Sequence, residues 1–125
     1  MMINRKEGKN LSEGYVRENF YLCYDNDTMI GVFSIKFSLT NYLLKYGGHI
    51  GYAAVPSYQR RDLGTEILSK GLEIAKVLGF KRILCVCDED NIASEKIIIK
   101  NGGLFENKLY DDLEKVFIKR FWINL

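Results

Sequence analysis

The sequence lacks most of the features that mark out a specialised class of protein. It has one proline, Pro56, and one histidine, His49, in 125 residues. Its three cysteines are an odd number, which argues against a disulfide framework. Cys85-Val86-Cys87 also lacks the two-residue gap of a zinc knuckle or redox pair, so no metal site is expected. On a strand those two side chains point to one face, as buried core thiols do. No apolar run approaches the ~18 residues that span a membrane. Nor does one sign of charge dominate: 18 basic residues against 16 acidic ones leave a net charge of +2. That balance implies no nucleic-acid partner. Arg5, Lys6 and Lys9 are not followed by an apolar stretch, so the N-terminal segment does not read as a secretion signal. A reducing cytoplasm is the expected location.

What is present describes one compact domain over residues 1–125, with 47% hydrophobic and 27% charged residues and 11 glycines. A chain of this size buries roughly two thirds of its unfolded surface, enough for a single core. Residues 1–18 are polar and weakly patterned, and are expected to form an arm or loop. Phe20 to Tyr24 and Thr28 to Phe37 are β-rich runs around Asp25-Asn26-Asp27, which predicts an antiparallel hairpin. Residues 38–46 carry no clear pattern. His49 to Val55 reads as a third strand, stopped by Pro56.

From Leu63 to Leu78 apolar residues recur at the helical period, and Gly79 stands where a left-handed cap is expected. Ile83 to Cys87 is a continuous apolar run, the pattern of a strand buried on both faces. A second helix is expected over residues 91–101, closed by Gly102-Gly103. Leu104 to Tyr110 and Val116 to Leu125 then form two strands around Asp111-Asp112. The order β-β-β-α-β-α-β-β predicts an α/β fold with a mixed, mostly antiparallel sheet around a central βαβ unit.

Chemistry concentrates between the third strand and the first helix, in Gln59-Arg60-Arg61-Asp62-Leu63-Gly64-Thr65. The first turn of a helix presents unpaired N–H groups and partial positive charge, so it attracts phosphate. Arg60 and Arg61 add charge beside that turn, and Gly64 removes a Cβ that would hold a phosphate off. The segment is neither a Walker loop nor the dinucleotide triple-glycine pattern. On local chemistry, phosphate binding and a simple capped terminus both remain open.

Gln59-x-x-Asp62-x-Gly64-Thr65 resembles the Gln/Arg-x-x-Gly-x-Gly/Ala signature of the GNAT N-acetyltransferase superfamily. Gly51 to Pro56 resembles that family's central strand. Asn91-x-x-Ser94 with Lys100-Asn101-Gly102-Gly103 resembles its second block, in the manner of a bacterial subgroup of predicted acetyltransferases. The resemblance implies two parallel strands that splay apart to admit the pantetheine arm of acetyl-CoA as co-substrate. It places the arm against Ala53, Ala54 and Val55, the pyrophosphate on backbone N–H groups from Gln59 to Thr65, and Asn91 and Ser94 beside the pantetheine. Asn91 also reads as a plain helix N-cap. Asp62 stands where the signature has its first glycine, and as a helix cap it would consume N–H groups that a phosphate uses. The chain is also short at its N-terminus, where relatives carry a strand and one or two helices lining the acceptor site.

The activity implied is transfer of an acetyl group to an amine, on a small molecule or a peptide. Backbone N–H groups of the central strand would hold the developing oxyanion. His49 occupies the place of the relatives' glutamate and is the candidate base. Ile98 stands where their tyrosine acid would be, which leaves Tyr52 as the candidate acid. A non-catalytic coenzyme A-binding or sensing module, and an inactive truncated relative, remain as alternatives. So does a homodimer paired through the N-terminal sheet edge.

Overall fold

The computed structural model describes the backbone of residues 2–6 and the whole of residues 16–55 and 63–125. The chain forms β1 (Met2–Lys6), β2 (Glu18–Asp25), β3 (Thr28–Lys36) and β4 (Ile50–Ala54). It continues with α1 (Leu63–Val77), β5 (Arg82–Asp88), α2 (Ile92–Lys100), β6 (Leu104–Asp111) and β7 (Val116–Asn124). The expected order is there with one addition. Residues 2–6 are not part of an arm but a strand, paired antiparallel to β2 from Met2↔Cys23 to Lys6↔Asn19. The N-terminal edge of this sheet is therefore β1 rather than β2.

The strands form two sheets, β1-β2-β3-β4 and β5-β7-β6, and every ladder in them is antiparallel. The predicted hairpin is β2-β3, turning at Asn26 with φ 55°. The central βαβ unit is β4-α1-β5. Its two strands belong to different sheets, which is the splay that the sequence implies. Residues 43–47, unassigned from sequence, make one π-helical turn, Leu43–Gly47. Buried Arg120 of β7 fastens that turn, donating to Leu44 O at 2.9 and 3.2 Å while also bonding Asn107 and Glu106.

One core joins both sheets to α1. Phe33, Ile35 and Ile50 come from the first sheet, Ile83, Cys85, Phe121 and Ile123 from the second, and Ile67, Leu68, Leu72 and Ala75 from the helix. These are the helix positions that the 3.6-residue period puts on one face. Both helices stop as the glycines require. Gly79 (φ 102°) lets Phe80 N–H reach Ala75 O at 3.1 Å, and Gly102 (φ 92°) lets Gly103 N–H reach Ile98 O at 2.9 Å. Cys23, Cys85 and Cys87 are all buried free thiols, and burial pushes the Cys87 thiol up to about 11. Among the described residues no helix is long and apolar enough to cross a membrane, and no group of His, Cys, Asp or Glu could hold a metal ion.

Candidate functional site

Strand β4 pairs with β3 on one side only. Val55 N–H donates to Ile30 O, and the antiparallel alternation sends the N–H and C=O of Ile50 and Tyr52 away from β3, toward β5. No β4-β5 ladder receives them. The cleft beside this edge has a volume of about 610 Å³. Tyr52, Ala53 and Ala54 of β4 form one wall, Gly64 and Thr65 of the first turn of α1 a second, and α2 the third through Asn91, Ala93, Ser94, Lys96, Ile97 and Lys100. Elements far apart in sequence thus meet where the sheets part.

Most of the residues expected at the site are brought together there. Tyr52, Ala53, Ala54, Gly64, Thr65, Asn91 and Ser94 all line the cleft. Val55 and Leu63 do not. The Val55 N–H is committed to β3, and the Leu63 side chain is buried in the core. Gln59, Arg60, Arg61 and Asp62 lie outside the described residues. Asn91 is indeed an N-cap, accepting from Ser94 N–H at 3.0 Å, and it lines the cleft as well.

Gly64 also has a neighbour the sequence did not suggest: a Cβ there would come within 2.7 Å of Ile97 Cδ1, so a larger residue would shift the tip of that side chain where α1 meets α2. Asn101 fixes the same junction, donating to Thr65 O at 3.3 Å and Ile97 O at 3.1 Å. The sequence reasoning missed Lys96 and Lys100, one turn apart and, among the described residues, the only charged ones lining the cleft. The signal depends on which face of α2 is buried, which only the structure shows. Ile98 is fully buried, so a stripe through Ala93, Lys96, Ile97 and Lys100 must face another way.

Tyr52 and His49 have very different surroundings. The Tyr52 hydroxyl bonds Ser94 Oγ at 2.8 Å, and burial pushes its pKa up to about 12 against the opposing effect of that bond. It therefore keeps its proton at neutral pH. His49 does not line the cleft. Its Nδ1 accepts from Leu84 N–H at 2.9 Å, and its ring meets Phe80 and Trp122 edge-on at 5.6 and 6.4 Å between centroids. Burial, with Lys36 and Arg82 nearby, lowers its pKa to about 4. The neutral ring has its one acceptor nitrogen engaged and no lone pair left for a substrate proton.

A stability prediction follows from the same environment. Because the folded-state value of about 4 lies below the ordinary 6.5, the fold binds this proton less readily than the unfolded chain. That contribution to stability is complete above pH 6.5 and is lost as pH falls toward 4. Denaturant midpoints at pH 7 and pH 5 should therefore differ more in the wild type than in His49→Asn. Equal differences would show that His49 does not titrate in this way.

The sequence profile of the Acetyltransferase (GNAT) domain family matches residues 2–103. The chain belongs to this family. Solved structures agree on the fold. A mutant of the spermidine N-acetyltransferase SpeG from Vibrio cholerae is 16% identical, with a TM-score of 0.69, and the match covers 86% of this chain and 65% of that one. A Salmonella typhimurium acetyl transferase that modifies the N-terminal serine of a ribosomal protein is 21% identical, with a TM-score of 0.69 over 90% and 65% of the two chains. A Bacillus subtilis acetyltransferase in complex with CoA is 15% identical, with a TM-score of 0.66 over 86% and 77%. This GNAT chain thus spans just under two thirds of the length of the first two. No curated protein sequence matches it.

Proposed function

We propose that this GNAT chain uses acetyl-CoA to acetylate an amine. The observation that carries the proposal is the cleft at the parting of β4 and β5, where Tyr52 turns its backbone N–H and C=O toward the gap. An extended arm with amide groups can pair there as a further strand would. The cleft also suits an anionic tail. Lys96 and Lys100 give it positive charge, and the first turn of α1 opens on it through Gly64 and Thr65. Among the described residues Thr65 Oγ1 is buried without a hydrogen-bond partner, a polar atom that a ligand could satisfy. The pyrophosphate is assigned to Gln59, Arg60, Arg61 and Asp62 on sequence alone.

Acetyl-CoA supplies the activated acetyl group, and the chain orients it and handles protons. In this proposal Tyr52 donates a proton to the departing sulfur, with Ser94 Oγ fixing its hydroxyl. The acceptor is an amine, as it is for the spermidine and ribosomal-protein enzymes of the same fold. Three buried free thiols suit a reducing cytoplasm.

Acetyl-CoA at a hundredfold excess over its Kd should raise the melting temperature by about 8–10 °C. No shift at millimolar acetyl-CoA would remove the cofactor from the proposal. A coenzyme A-binding module without turnover is the competing proposal, favoured by Ile98, which is sealed in the core where relatives carry their tyrosine acid. Thioester consumption across a panel of amines separates the two.

A further inference from the structure

His49 bonds to both sheets at once. Its backbone N–H donates to Leu84 O and its Nδ1 accepts from Leu84 N–H, both at 2.9 Å. Its own C=O turns the other way and accepts from Lys36 N–H at 2.7 Å. Among the described residues no further backbone–backbone hydrogen bond joins β4 to β5.

Strands joined by a crossover helix pair in parallel when they pair at all. In such a ladder Leu84 would accept from residue 49 and donate to the carbonyl of residue 47. The first bond is present, and the imidazole of His49 replaces the Gly47 carbonyl in the second. Gly48 allows this geometry, with φ at 71° and so close an approach that a Cβ would lie 2.7 Å from Leu84 O. The next rung would need Val86 N–H to reach the His49 C=O, which is already bonded to Lys36. The ladder ends after one rung. Beyond it, the alternation of β4 leaves the backbone groups of Tyr52 turned away from β3, with no rung to β5.

We propose that His49 is a positioning residue whose imidazole clasps the Leu84 peptide and fixes β4 against β5 at the end of the gap, so that the cleft beyond keeps the width an extended, amide-bearing ligand needs. The identity of that ligand rests on the acetyl-CoA assignment above. Tight ring contacts with Phe80 and Trp122 hold the imidazole in the orientation that the clasp needs.

Three variants of the full chain test the clasp. His49→Asn keeps an acceptor close to the position of Nδ1, His49→Gln moves it outward, and His49→Ala removes it. Acetyl-CoA affinity is read by calorimetry, and exchange of the Leu84 amide by NMR. The alanine and glutamine variants should lose about tenfold or more in affinity and exchange Leu84 faster, while the asparagine variant stays within about threefold of wild type. Wild-type affinity in His49→Ala, or an unchanged Leu84 exchange rate in it, overturns the proposal. Should the alanine variant not fold, His49→Gln carries the same comparison with the same two outcomes. A wild-type protein that does not bind acetyl-CoA defeats the cofactor assignment instead, and Leu84 exchange in the variants then decides the clasp alone.

Discussion

Tyr52→Phe is expected to lower kcat for acetyl transfer about a hundredfold, with KM for acetyl-CoA changed by no more than about threefold. Phenylalanine keeps the ring that lines the cleft and removes only the hydroxyl. That hydroxyl is 2.8 Å from Ser94 Oγ, and burial holds its pKa at about 12, so it carries a proton throughout the physiological range. A thiolate leaving in a partly buried cleft is stabilised by such a donor. If the proton transfer is real, the loss falls on kcat, where an interaction made only in the transition state is felt. Because burial raises the Tyr52 pKa, the wild-type rate should also show no loss of the acid through the neutral and mildly alkaline range. An unchanged kcat in Tyr52→Phe would end the acid assignment, and a loss seen only in KM would reduce Tyr52 to a wall of the cleft.

The largest effect on stability is expected at Gly71→Val, which should lower the unfolding free energy by roughly 3 kcal/mol and the melting temperature by about 10 °C. Gly71 lies on the buried face of α1, where the helix crosses β3. A Cβ there would come within 2.2 to 2.4 Å of three atoms of the Phe33 ring. Phe33 is fully buried and packs against Tyr21 with ring centroids 6.2 Å apart, so the ring has little room to retreat. The helix must move off the sheet, which loosens its contacts through Ile67, Leu68 and Ala75. Equilibrium unfolding in urea would measure the change. A midpoint equal to that of the wild type would mean that α1 does not sit this close to β3.

Much of the fold was legible because its signals are local. The period of α1, the β-rich runs either side of Asn26, and the capping glycines 79 and 102 each act within a few residues, and each is where the pattern put it. The strand Met2–Lys6 was not legible. Five residues on a sheet edge need no alternation, and the partner they pair with begins a dozen residues later. The Leu43–Gly47 turn was hidden for a similar reason: its carbonyl at Leu44 is held by Arg120, 76 residues away.

The site divides in the same manner. The sequence alone grouped Tyr52, Ala53, Ala54, Gly64, Thr65, Asn91 and Ser94 through their resemblance to family motifs, and all seven line one cleft. Tertiary structure decided what each of them touches. Gly64 lies against the tip of Ile97. Lys96 and Lys100 join the site because Ile98 fills the core and turns the opposite stripe of α2 to the cleft. His49, chosen from the sequence as the one imidazole able to take a proton near neutrality, has its acceptor nitrogen on the peptide of Leu84, 35 residues away. A titratable side chain states what chemistry is available. Only the partner that folding brings to it decides whether that chemistry is free to act.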